Sequence, residues 1–336
     1  MMSQDKHVIK NIYILNLDKN KERWNTISNK LDTEKNNIPY YQYCGIDGSK
    51  LNLNDVGDDI NPISKKFLLT KEMYGKSKSH INLWKYLLDD FKKVNKVDNN
   101  DETTDNSLKD NEWVLILEDD AIIPDHFNKY IEQLSLFLNE IPKDILDKTD
   151  MFNLSPTGDY KNNKSLNDNI LSLLTTLVTM ILKKQKSSNN KIFEKLIENK
   201  EWSLIDSNFP LCTHAYLVNK KNLENMIDKF EKKNIYYHLD WQLNLENLNI
   251  NTILPIGIKR GGFDDSTTST KTTPSILVKI LTMFNKELAC DLGKPICHIF
   301  GMIEINVLII IYGLIILFWN IIDIPGMLND YFLNIK

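Results

Sequence analysis

The stretch "WVLILEDDAIIPDHF", residues 113–127, sets the uninterrupted apolar run Val114 to Leu117 directly before three consecutive carboxylates, Glu118, Asp119 and Asp120. An unbroken run of this kind predicts a strand covered on both faces. Pro124 suits the first turn of a following helix, whose buried face would be Phe127, Ile131, Leu134 and Leu138. A strand therefore ends where the acids begin.

Working outward, "NIYILNLDKNKERW" (11–24) reads as a strand and then a helix, with Trp24, Ile27 and Leu31 on one face and Asp18 as a candidate cap. "YYQYCGIDGSKL" (40–51) is a β-prone run stopped by Gly45, Asp47 and Gly48. In "SKSHINLWKYLLDDF" (77–91), Ile81, Trp84, Leu88 and Phe91 recur at helical spacing, with Ser77 or Ser79 placed to cap. Residues 92–112 are polar and nearly free of large apolar groups, which predicts a mobile surface loop.

Downstream, "DMFNLSPTGDY" (150–160) fits a short strand and loop, "THAYLVNKKNLENMIDKF" (213–230) a strand then a helix, and "HLDWQLNLENLNINTILPIGI" (238–258) a helix then a strand. The apolar run 169–182 is too short to span a bilayer, which takes about 20 residues. It fits a buried or interfacial helix. Strands alternating with helices imply an α/β domain with a mostly parallel central sheet.

The tail differs. Residues 305–322 are 18 uncharged residues, with Trp319 near one end, long enough to be a candidate transmembrane helix. The competing reading is an apolar helix docked on the domain or on another chain. The domain boundaries that follow are a catalytic domain at 1–275 and a C-terminal extension at 276–336. Within the first, 160–205 reads as an insertion.

The chain has 41 basic and 45 acidic residues among 336, a formal charge of −4 spread along its length. No basic field awaits a polyphosphate backbone, so nucleic acid is not an expected partner. Cys44, Cys212, Cys290 and Cys297 form no CxxC pair, which speaks against a structural zinc site and a dense disulfide scaffold. The first residues, "MMSQDKHVIKNIYILNL", lack a signal-peptide core, which predicts synthesis in the cytosol.

Ligands of open parallel sheets bind outside the carboxyl ends of the strands, where Glu118 to Asp120 are expected. A divalent cation would relieve their mutual repulsion. Oxygen ligands suit Mg²⁺ or Mn²⁺, which commonly bind through one or two carboxylates plus substrate phosphates. The bland alternative is an acidic helix start, where carboxylates favour the helix dipole.

Several blocks, taken in order, resemble glycosyltransferase family 25. They are "IYILNLDKNKERW", "GIDG", "GKSKSHINLW", "LILEDDA", "THAYLVNKKNLENMI" and "LDWQL", spanning about residues 10–270. The resemblance implies a GT-A-like, Rossmann-like fold, a UDP-sugar donor and often Mn²⁺. Lys76 and Lys78 stand where the family usually has small or apolar residues, and "GGFDDSTTST" follows the family's close only loosely.

By this resemblance Asp120, with Glu118 or Asp119, would hold the metal against the donor diphosphate. Asn16, Asp18 and Arg23 would lie beside the nucleotide, Arg23 pairing with phosphate unless it is merely a charge on a helix surface. Asp47 is a candidate for ribose or base, or a turn aspartate bonding its own backbone. Ser79 and His80 are candidates for the donor site, with capping and packing as alternatives. Asp240 is the candidate base for an inverting transfer, with Trp241 stacking on a sugar face; helix cap and core residue are the rival roles. His214 is a further metal or sugar ligand, or a packed histidine.

The expected activity is transfer of galactose or glucose from a UDP-hexose to a hydroxyl of a glycan, lipid-linked sugar or hydroxylated side chain. The expected setting is a membrane reached through the C-terminal helix, with the catalytic domain on the cytosolic side. A non-catalytic scaffold of the same fold, and a nucleotidyltransferase or phosphatase, are the rival readings.

Overall fold

The computed structural model describes residues 8–57, 59–60, 69–93, 111–156, 193–207, 212–231, 234–235, 239–246, 248–261, 295–299 and 303–306. Its centre is an eight-stranded sheet. In chain order the strands are β1 (Val8–Asn16), β2 (Tyr40–Cys44), β3 (Glu112–Glu118), β5 (Met151–Asn153), β6 (Phe193–Glu198), β7 (Ser203–Ser207), β8 (Ala215–Val218) and β9 (Ile250–Leu254). Across the sheet they run β2-β1-β3-β8-β5-β9-β7-β6.

The sheet is mixed, which corrects the expectation of a mostly parallel one. β1 pairs in parallel with β2 and β3, and β5 with β9. β8 lies antiparallel to both β3 and β5, and β7 antiparallel to both β6 and β9. The β6–β7 hairpin begins within the expected insertion, runs two residues past its end and extends the sheet to its edge.

β3 is buried along six residues, and its side chains alternate between two cores. Val114 and Ile116 join Tyr13, Leu15, Tyr216 and Val218 on one face. Helices α2 (Lys71–Lys93), α5 (Lys220–Glu231) and α6 (Leu239–Leu245) cover that face through Met73, Trp84, Leu223, Met226 and Leu243. Trp113, Leu115 and Leu117 join Ile12, Ile14 and Leu217 on the other. There α1 (Lys21–Thr33) and α3 (Phe127–Glu140) supply Ile27, Leu31, Phe127, Ile131 and Leu134, and the short α4 (Lys143–Leu146) supplies Leu146. Each such aliphatic side chain contributes about 1.5–3 kcal/mol when removed from water.

Helix starts depart from the sequence reading. α2 begins at Lys71, so Ser77 and Ser79 lie inside it and cap nothing. The cap position of α1 is Asn20, not Asp18. Pro124 precedes α3, which opens after His126, a residue in the left-handed region at φ 59°.

Among the described residues no helix is long and apolar enough to cross a membrane. Ile305 and Asn306, the first two residues of the apolar tail, belong instead to the strand β12 (Ile303–Asn306), antiparallel to β11 (Pro295–Ile299). Residues 307–322 lie outside the described residues, as do 94–110 of the expected loop and the apolar run 169–182.

Candidate active site

β8 runs opposite to β3, and this direction builds the site. Leu117 pairs with Ala215, and the Glu118 amide donates to the His214 carbonyl at 2.9 Å. The residues entering β8, Thr213 and His214, therefore meet the residues leaving β3. A parallel β8 would have delivered its far end here.

Three ligand atoms, one each from Glu118, Asp120 and His214, lie within 4.8 Å of one another. His214 Nε2 is 3.2 Å from Asp120 Oδ2 and 3.9 Å from Glu118 Oε2. The other oxygen of Asp120, Oδ1, is buried without a hydrogen-bond partner among the described residues. A buried carboxylate oxygen left unpaired is costly, and a cation or water satisfies it. Two carboxylates and an imidazole are a donor set that fits a divalent transition ion.

The backbone beside Asp120 is pinned. β4 (Ala121–Ile122) pairs antiparallel with β10 (Lys259–Arg260), and the Gly261 amide donates to the Asp120 carbonyl at 2.9 Å. A Cβ on Gly261 would sit 2.6 Å from that carbonyl oxygen, so only glycine allows this approach.

Glu118 uses its two oxygens differently. Oε1 accepts from Thr213 Oγ1 at 2.5 Å, lies 2.8 Å from Lys76 Nζ and 3.4 Å from His80 Nε2, while Oε2 faces His214. The contacts of the His80 ring favour one tautomer. The Trp84 indole can only donate, and it donates to the Tyr216 hydroxyl at 2.9 Å. That hydroxyl is then free to donate to His80 Nδ1 at 2.8 Å, which leaves the ring proton on Nε2, facing Glu118.

Charge states follow from these contacts. Burial alone would raise the Glu118 carboxyl, but Lys76, His214 and His80 hold it well below the ordinary carboxylate range. Burial would lower the His214 imidazole, yet Cys212, Asp120 and Glu118 raise it well above the usual histidine value. Burial keeps His80 low and therefore neutral at pH 7. Asp120 is lowered because His214 outweighs its burial.

Asp119, expected among the metal ligands, stands outside this group and faces the other way. It accepts from Asn16 Nδ2 at 2.8 Å and Asn20 Nδ2 at 3.1 Å, and pairs with Arg23 at 3.2 Å. Burial nonetheless raises its pKa. Asn16, whose Oδ1 accepts from Gln42 Nε2 at 2.8 Å, and Arg23 thus fasten the β1–α1 connection to the end of β3. Asp18 is exposed in the turn between them.

Asp47 caps the 3-10 turn Gly48–Lys50 through the Ser49 amide and pairs with Lys19 at 2.8 Å. Burial opposes the effect, but Lys19 and Ser49 bring its pKa down to about 2. Ser79 donates to the Gly75 carbonyl at 2.6 Å and accepts from the Ile46 amide at 2.7 Å, which ties the "GIDG" loop to α2. These bonds occupy Asp47 Oδ1 and commit the Ser79 proton.

Asp240, in the first turn of α6, does reach the cluster. Its Oδ1 lies 3.0 Å from Thr213 Oγ1, whose one proton it shares with the nearer Glu118, and 3.9 Å from Lys76 Nζ, and the residue is 1% exposed. The side chain of Trp241 lies outside the described residues. Lys76, Thr213 and Tyr216 were not among the expected site residues. Thr213 carried a signal, as it directly precedes His214; Lys76 was legible only as an ion among helix residues.

The chain is a glycosyltransferase. The model of glycosyltransferase family 25, described as LPS biosynthesis protein, matches residues 105–241. That span holds Glu118, Asp119, Asp120, His214 and Asp240; Asn16, Arg23, Asp47, Lys76 and His80 precede it. A search of curated proteins gave no match.

Proposed function

We propose that the chain transfers a hexose, galactose or glucose, from a UDP-sugar to a hydroxyl of a glycan, lipid-linked sugar or hydroxylated side chain, and that the transfer depends on a divalent metal. One observation carries the metal dependence: Glu118, Asp120 and His214 converge within 4.8 Å at the end of β3. These three residues would hold the ion, and the imidazole favours Mn²⁺ over Mg²⁺, which prefers an all-oxygen shell. When bound, the ion offsets charge on the diphosphate as it leaves.

In an inverting transfer the acceptor oxygen bonds to the anomeric carbon while the bond from that carbon to the diphosphate breaks, its electron pair leaving with UDP. Asp240 is the residue we assign to the acceptor proton. A base is needed because an alcohol hydroxyl does not ionise near neutral pH. Asn16, Arg23 and Asp119 act as a brace for the strand end and carry the nucleotide side of the cleft.

The proposed setting is a membrane surface contacted through the uncharged run 305–322, with the catalytic domain facing the cytosol. Protease protection of that domain in sealed vesicles would contradict this orientation.

The experiment is UDP release from a panel of UDP-hexoses with Mn²⁺. Wild type should release UDP from one of them, and Asp120→Asn should lose activity by about 100-fold or more. Equal release by the variant, or none by the wild type across the panel, overturns the proposal.

A further inference from the structure

Lys76 is a buried cation that the transfer scheme above leaves without a task. It projects from the interior of α2, with its side chain 12% exposed. Its ammonium stands 2.8 Å from Glu118 Oε1 and 3.9 Å from Asp240 Oδ1. It thus lies on the face of Glu118 opposite the oxygen that looks towards His214.

The geometry points to Lys76 as the fixed counter-cation of the site, which weakens the hold of Glu118 and Asp120 on the metal and strengthens the hold of the loaded site on the donor diphosphate. This inference rests on the metal and diphosphate reading proposed above. Its physical basis is charge. Two carboxylates facing a divalent ion attract it strongly in a buried setting, and one ammonium beside them cancels half of that charge. The same ammonium adds attraction for an incoming diphosphate, to which Lys binds as a point charge. Loss of the charge must therefore move the two affinities in opposite directions. A side chain that only fills space or orients Glu118 would move them together or not at all.

The test is equilibrium binding by the full chain, with free Mn²⁺ read by electron paramagnetic resonance and UDP binding read by calorimetry at saturating Mn²⁺. Lys76→Met should bind Mn²⁺ about tenfold tighter and UDP about tenfold weaker than wild type. Lys76→Gln fills similar space and still donates to Glu118, so it separates charge from orientation and should show the same opposed shifts. Lys76→Arg, which keeps the charge, should stay near wild type. Shifts of the same sign, or none, in the two neutral variants overturn the role of Lys76. A wild type that binds no Mn²⁺, or an Asp120→Asn variant that binds it unchanged, overturns the metal reading itself.

Discussion

His214 Nε2 lies 3.2 Å from Asp120 Oδ2, although the two residues are 94 apart in the chain. In this contact His214 is held above the ordinary histidine range, opposed by its burial and driven by Cys212, Asp120 and Glu118. To ligate an ion it must give up that proton. Mn²⁺ affinity should therefore rise with pH, with one proton released per ion, and His214→Asn should lose both the affinity and its pH dependence.

The sign for stability is opposite in the metal-free protein. A histidine raised above its unfolded value of about 6.5 contributes stability that is complete below that value and lost as pH rises through the folded one. The Tm of metal-free protein should fall as pH rises through and above that range, and excess Mn²⁺ should reverse the fall. A metal-free Tm indifferent to His214→Asn at low pH would count against this electrostatic picture.

Asp119 and Asp120 should separate cleanly on substitution. Asp119→Asn breaks the pairing with Arg23 and should cost about 1–3 kcal/mol of stability, seen in denaturant unfolding, while Mn²⁺ binding persists. Asp120→Asn should abolish Mn²⁺ binding, and it should also lower stability, because it removes a charge that holds the His214 imidazole protonated.

This division shows where the sequence could and could not be read. The apolar run before the acids marked a doubly covered strand because burial on both faces needs no alternation, and β3 has that burial. The direction of β8 was not legible: four buried residues, Ala215 to Val218, read identically whichever way they run. Three adjacent carboxylates likewise do not announce which way each side chain points. Only the turn after β3, with Asp119 drawn to Asn16 and Asp120 left facing His214, decides which of them are available for an ion. Ser79 misled for a related reason, since a serine before an apolar periodicity resembles a cap when the helix in fact begins eight residues earlier.

Gly75 in α2 and Gly48 in the turn are in backbone contact, so that a Cβ on Gly75 would come within 2.9 Å of Gly48 Cα and the Ile46 carbonyl. Gly75→Ala should push the loop away from the helix and cost about 1–3 kcal/mol, despite the better helix propensity of alanine. Thermal unfolding checks it. A rise in Tm would mean the loop yields without strain.

Tyr216→Phe removes the hydroxyl that joins Trp84 to His80. Both ring nitrogens then lack a partner inside the core, at a cost of about 1–3 kcal/mol. Freed from that lock, His80 should hold Glu118 less well, and Mn²⁺ affinity should drop about tenfold. Unchanged affinity in a folded variant would restrict the three residues to packing.

The central claim is that Glu118, Asp120 and His214 share one cation. Crystals grown with Mn²⁺ and UDP, measured at the manganese absorption edge, test it most directly. The account predicts one anomalous peak in contact with Glu118 Oε2, an Asp120 oxygen and His214 Nε2, with the diphosphate on its open side. A peak bound instead to Asp119, or an ordered UDP with no manganese among these three side chains, would contradict it.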